Sequence, residues 1–371
     1  MDDALQRMVG QVQTARAEKL QIDIRGGGSK AFYGGTPQGL LMDTRCLNGI
    51  CSYEPSELVI TARGGTPLAE LEAALTEQGQ CLPFEPPRFG ADGKDAHGLP
   101  RGGTVGGMVA AGLAGPARVS VGGVRDYVLG AKLLNGRAEL LAFGGTVMKN
   151  VAGYDISRAL AGSMGVLGVI CEVSLKVLPV LPATLTLRLE AEQGAAIHRL
   201  NEWGGQPLPL HASAWWDGML VLRLSGATAA VRSAHEKIGG EVVDADMAAT
   251  FWLGLRDHRD EFFINAAKAV DSGAALWRLS VPATTPPLKL SGEQLLEWGG
   301  AQRWICTSAP ANVLRDAARG VGGHAVLFRG HDKGVGAFAA LAPAAARMQR
   351  ELQRAFDPDG VFNPGRLLPA A

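Results

Sequence analysis

The residues best placed to do chemistry in this chain are glycines, and what they offer is backbone. The run Arg25-Gly26-Gly27-Gly28-Ser29-Lys30 lets successive N–H groups point one way and form a nest for an anion such as a pyrophosphate. As residue types alone it is equally a surface turn. In the second run, Gly102-Gly103-Thr104-Val105-Gly106-Gly107-Met108-Val109-Ala110-Ala111-Gly112, Thr104 is set to cap a short Gly/Ala-rich helix. Its thin wall would admit a large flat ligand, or another helix packed tightly. The third stretch joins Gly144–Asp155 to Gly162–Ile170. There Gly168 feeds a strand whose backbone could bond a ring edge, and Lys149 is either a ligand or an ordinary solvated lysine.

These loops need elements to hold them. Residues 5–20 carry Leu5, Met8, Val9 and Val12 at helical spacing. Leu20, Ile22 and Ile24 alternate as in a strand that runs straight into the first glycine loop. A second strand is expected at Leu58–Arg63, then a helix capped by Thr66, with Pro67 at its first position and Gly79 at its end. Asn135-Gly136 between apolar pairs signals a hairpin. Gly26, Gly28 and Ala31 fit G-x-G-x-x-[GA], but Gly34, Gly35 and Pro37 follow. The long helix that a dinucleotide fingerprint requires cannot form there.

Of the 50 glycines, 16 fall between Gly102 and Gly168, a density that implies sharp turns or close approach of backbone to something else. The stretch Val177–Pro182 ends this part, and all seven tryptophans follow it, between Trp203 and Trp304. They suit either a subunit interface or a packed core. A helix from Leu341 to Phe356 leads into a turn-rich tail.

At 371 residues the chain is long enough for two domains, and 47% apolar residues give it a sizeable core. Equal numbers of acidic and basic residues, 36 each, exclude a duplex-binding surface. Five widely spaced cysteines without a C-x-x-C pair give no iron–sulfur or zinc site of the chain's own. No leader and no membrane span are expected, hence a cytoplasmic protein, with peripheral contact to the inner membrane left open.

Taken in order, the strand–RGGG loop, the Leu68–Pro83 stretch, Thr104–Gly107, the Gly165–Gly168 strand and the tail Phe356-Asp357-Pro358…Asn363-Pro364-Gly365-Arg366 resemble the FAD-binding domain of the vanillyl-alcohol-oxidase, or PCMH-type, family. Gly145…Asp155 and Gly323–Gly330 are similar, more closely, to the smaller FAD-binding subunits of bacterial glycolate oxidases. The resemblance implies an α+β fold of two FAD-binding subdomains over 1–180, split near 90–100. A smaller α+β cap would occupy 181–340, and 341–371 would return to the FAD domain.

By the same resemblance Arg25, Gly26, Gly27, Gly28, Ser29 and Lys30 would hold the pyrophosphate of FAD. Gly103, Thr104, Gly106, Gly107, Gly112 and Arg118 would line the adenine–ribose side and the flavin wall. Gly165, Gly168, Val169 and Ile170 would meet the rest, and Asn363 would approach from the tail. Ser29 stands where some relatives tether the flavin through histidine, so the FAD is expected to be non-covalent. Relatives that oxidise 2-hydroxy acids use a base and a carboxylate-gripping arginine. The weak candidates here are His324 and Arg329, with His331 nearby, and the metal-assisted G-D-G-N-x-H signature is absent. The implied role is that of a subunit acting on glycolate beside a catalytic FAD subunit and an iron–sulfur subunit. A stand-alone 2-hydroxy-acid (D-lactate type) dehydrogenase and a non-catalytic scaffold stay open as alternatives.

Overall fold

The computed structural model describes residues 2–90, 102–146 and 155–368. Val147–Tyr154, which carry Lys149, lie outside the described residues, as does nearly all of the expected split near 90–100.

The described residues of the first half hold nine strands. β1 (Ile22–Arg25) and β2 (Leu40–Asp43) form a two-stranded parallel sheet. β3 (Ile50–Glu54), β4 (Val59–Arg63), β6 (Val128–Leu134), β7 (Leu140–Gly144) and β8 (Val169–Lys176) form an antiparallel sheet in the order 3-4-8-6-7, and β5 (Gln80–Cys81) pairs with β9 (Leu178–Pro179). β8 is central, and a register shift at Cys171 reverses which face its odd-numbered residues take. Ile170, Val173 and Leu175 enter a core with Leu68, Leu71 and Leu75 of helix Leu68–Glu77 and Val105, Met108 and Val109 of helix Val105–Ala111. Val169 and Cys171 enter a second core with Leu5, Met8 and Val12 of helix Asp3–Glu18.

Two local expectations are corrected. Thr66 does not cap helix Leu68–Glu77; Pro67 stands at the cap, because the Thr66 hydroxyl accepts from the Gly49 N–H at 3.0 Å and donates to its carbonyl at 3.1 Å. The β6–β7 hairpin forms, but Ala138 carries the left-handed φ of 62° rather than the Asn135-Gly136 pair. The Asn135 side chain instead accepts from Arg137 and Glu139 N–H, and a Cβ on Gly136 would collide with Asp357. That glycine serves a close approach.

After β9 the chain changes sheets. β10 (Ala183–Glu190), β11 (Leu210–Trp216), β12 (Met219–Gly226), β13 (Glu241–Val242), β14 (Ala275–Ser280), β15 (Glu293–Glu297), β16 (Gln302–Thr307) and β17 (His324–Arg329) form one antiparallel sheet. Its order is 13-10-12-11-15-16-14-17. One face packs on helices Gln193–Gly204, Thr228–Ile238 and Ala311–Gly320. The other, with Trp304 and Phe328, joins Tyr33, Phe89, Leu113 and Met164 of the first half in one core. Trp252, Trp277, Trp298 and Trp304 are buried, so these four tryptophans serve packing.

Helix Pro343–Phe356 is mostly exposed, and the tail behind it returns to β1. Ile22 donates to Val361 at 2.7 Å and accepts from Asn363 at 2.9 Å. Asp357 fixes that turn by accepting from the Val361 and Phe362 N–H groups.

Candidate functional site

The glycine loops meet in one cleft of about 810 Å³, bounded by the loop after β1, the start of helix Val105–Ala111, the turn before β8 and the tail. The loops interlock through positions that admit no side chain. A Cβ on Gly27 would lie 1.7 Å from the Gly102 carbonyl, and one on Gly26 would lie 2.3 Å from the Thr104 hydroxyl. Gly165 and Gly168 have φ of 75° and 140°, conformations that side chains resist.

Cations hold this first loop from behind. Arg366 donates to the Ala31 and Gly35 carbonyls and Lys333 to those of Phe32 and Gly34. The carbonyls of Ala31, Phe32, Gly34 and Gly35, just past the loop, are thereby occupied, while the N–H groups of Gly26 to Lys30 have no acceptor among the described residues. This is the arrangement of an anion nest. No helix follows Gly28; the chain turns through Pro37 into β2, so the pyrophosphate-on-helix geometry of a dinucleotide fingerprint is absent.

Thr104 caps helix Val105–Ala111, accepting from the Gly107 N–H at 3.2 Å. Gly106 donates to the Gly64 carbonyl at 2.7 Å, which holds that helix close to β4. Asn363 staples three segments: its amide accepts from the Ile24 N–H and donates to the Met164 carbonyl, both at 2.7 Å. Lys30 puts a buried, unpartnered Nζ into the wall, 5.7 Å from the centre of the Phe89 ring. Burial lowers its pKa to about 8 against the pull of Asp257 and Glu72. A glycine-walled cleft with a buried amine awaiting an anion fits a phosphate-bearing cofactor such as FAD.

Fourteen of the seventeen expected cofactor residues line the cleft: Arg25, Gly26, Gly27, Gly28, Ser29, Lys30, Gly103, Thr104, Gly106, Gly107, Gly165, Gly168, Ile170 and Asn363. Three are placed elsewhere. Gly112 ends its helix in the left-handed region against Gly162. Arg118 lies 4.7 Å over the Trp298 ring, at the contact with the second half. Val169 points to the opposite face of β8 from Ile170. Asp23, which pairs with Arg25, and Arg366 were missed. Arg366 stood inside the tail motif and was legible there.

His324 and Arg329 are the first and last residues of β17, roughly 17 Å apart at the usual rise per residue. They do not form one site. His324 is exposed; Arg329 sits 3.5 Å over the Phe32 ring, and burial holds its pKa down to about 10.

The family described as FAD binding domain matches residues 6–144. The glycolate oxidase subunit GlcE of Escherichia coli (strain K12) is 45% identical over 98% of this chain and 97% of its own length. The chain belongs to the GlcE family of FAD-binding oxidoreductase subunits. The glycolate oxidase subunit GlcD of Bacillus subtilis (strain 168) is 27% identical over 43% of this chain and 32% of its own length, a distant relation. Alkyldihydroxyacetonephosphate synthase shares the fold, with a TM-score of 0.64 at 15% identity over 96% of this chain and 73% of that one. The fold is thus the α+β, PCMH-type FAD-binding architecture, and FAD is the cofactor. Among the described residues no helix is long and apolar enough to cross a membrane.

Proposed function

We propose that this chain is the FAD-holding subunit of a glycolate oxidase assembly that converts glycolate to glyoxylate. It works beside a catalytic FAD subunit and an iron–sulfur subunit and either relays electrons or completes the complex. The observation that carries this reading is the match to GlcE along nearly its whole length, joined to the glycine-walled cleft. The division of labour agrees with a chain whose cysteines form no C-x-x-C pair.

In this reading the N–H groups of Gly26 to Lys30 receive the pyrophosphate, with Lys30 adding charge once the anion enters. Bound FAD supplies a two-electron acceptor. Ile24, Met164 and the tail are fixed by Asn363, and Arg366 and Lys333 keep the first loop in its binding shape. The FAD is held without a covalent bond, a reading supported by a cleft lined with no histidine or cysteine among the described residues. The FAD-binding part comprises 1–180 and 341–371, and 181–340 is the cap. The assembly sits in the cytoplasm and touches the inner membrane peripherally.

The test is the visible spectrum of the purified chain before and after anaerobic glycolate, repeated with its partner subunits. Flavin peaks that bleach only with partners present are expected. A chain that takes up no FAD overturns the reading, and bleaching of the isolated chain turns it into a self-sufficient dehydrogenase.

A further inference from the structure

Resting on the peripheral membrane contact in the reading above, we propose that the outer flank of helix Pro343–Phe356 docks on an anionic lipid bilayer.

The helix buries little of itself. Leu352 and Phe356 pack on the core of the first half, and the opposite flank is exposed over its whole length. Two stripes run along that flank. Ala344, Met348 and Ala355 recur at helical spacing, preceded by an exposed Leu341. Arg347, Arg350 and Arg354 recur beside them. Met348, at 70%, is the most exposed large apolar side chain among the described residues. A flexible thioether between long arginine stems suits the boundary of a bilayer. The apolar parts enter the acyl edge while the guanidiniums stay at headgroup level.

The charge of this flank is uncompensated. Among the described residues Arg350 and Arg354 make no ion pair. The neighbouring carboxylates are engaged, Glu351 by Arg347 at 2.8 Å and Asp359 by Arg16 at 2.8 Å. Arg137 joins from the β6–β7 hairpin by donating to the Ala355 carbonyl at 3.1 Å. The whole chain carries 36 basic and 36 acidic side chains, so no net charge draws it to a bilayer, and attraction comes from where cations gather. Each arginine held near an anionic headgroup layer strengthens binding by roughly 5-fold. The exposed helix offers a line of contact about 20 Å long. An acidic protein has to match the spacing of three guanidiniums, whereas fluid headgroups move to meet them.

The placement also serves the cofactor. Seven residues lead from Phe356 to Asn363, the staple of the cleft, a reach of at most about 25 Å. Docking by this helix keeps the FAD cleft close to the bilayer.

The experiment is cosedimentation of the full chain, incubated with FAD, with phosphatidylcholine vesicles containing about 30% phosphatidylglycerol and with vesicles of phosphatidylcholine alone. Binding to the anionic vesicles is expected at low salt and is lost near ~0.5 M salt. Joint Arg347→Gln, Arg350→Gln and Arg354→Gln weakens it at least ~30-fold, and Met348→Ser about 5-fold. Joint Arg199→Gln, Arg232→Gln and Lys237→Gln, which removes equal charge from exposed positions on helices Gln193–Gly204 and Thr228–Ile238, leaves it within ~2-fold. Thermal melts report folding, and if the first triple variant does not fold, Met348→Ser decides. Equal binding to the neutral vesicles, or a control variant that loses as much as the helix variant, overturns the proposal. Absence of vesicle binding by the unmodified chain overturns it too and leaves the flank to an acidic protein. Flavin absorbance separates the two readings: vesicle binding by a chain without flavin sinks the cofactor reading alone, and a yellow chain that stays in the supernatant sinks the docking helix alone.

Discussion

The cleft and the proposed cap are built from opposite materials. The cleft is made of backbone: its recognition groups are N–H donors, and its critical residues are those with no side chain. The cap is made of side chains: arginines on carboxylates and carbonyls, tryptophans on rings, a histidine in an aromatic box. A backbone site tolerates changes of side chain but no added carbon at its contact points. A side-chain site fails when one donor is deleted and hardly notices the backbone.

The largest expected effect breaks the cleft. Gly27→Ala puts a carbon 1.7 Å from the Gly102 carbonyl, and FAD affinity should fall at least ~1000-fold, or about 4 kcal/mol, by flavin titration. Ser29→Ala, two positions on, should stay within a few-fold; a large loss there would mean that the loop works through side chains after all. The matching blow to the cap is Arg303→Met. Arg303 is 0% exposed and donates to the carbonyls of Gly300, Pro286 and Thr285. Stranding them should lower stability by about 3 kcal/mol in urea unfolding while FAD binding persists.

Asn363→Ala tests a place where the cleft depends on a side chain. Losing its bonds to Ile24 and Met164 should cost about 2 kcal/mol of stability, together with part of the FAD affinity. A smaller, pH-dependent effect belongs to Lys30. Its folded pKa of about 8 lies below the ordinary lysine value of 10.5, so between those values the unfolded chain holds a proton that the folded chain lacks. Stability of the flavin-free protein therefore rises with pH across that window and is lowest below it. Lys30→Met should flatten the slope and raise stability near pH 7 by on the order of 2 kcal/mol. Glu351→Ala, which removes an exposed pair with Arg347, should stay within about 0.5 kcal/mol.

The same division decides what was legible in the sequence. Glycine loops are conspicuous because only glycine meets their demand, and so most of the fourteen cleft-lining residues could be named from the loops along the chain. Val169 was misplaced by one residue on a stretch of strand where neighbours alternate, which reverses the face. Thr66 has the right chemistry for a cap, but Gly49, brought near by β3–β4 pairing, claims its hydroxyl. His258, Arg278 and Phe89 are far apart in sequence and meet only where the eight-stranded sheet and its helices pack on the first half. No local pattern announces that. His324 and Arg329, close in sequence, point to opposite ends of one strand.

The staple made by Asn363 also sets a timetable for biosynthesis. It bonds to Ile24 across 339 positions, so a ribosome adding about 5–20 residues per second makes β1 roughly 20–70 s before its partner exists. Until then β1 and the first glycine loop lack one of their walls. Flavin loading therefore belongs to the chain that has already emerged past residue 363, and a nascent or prematurely terminated product leaves the ribosome colourless.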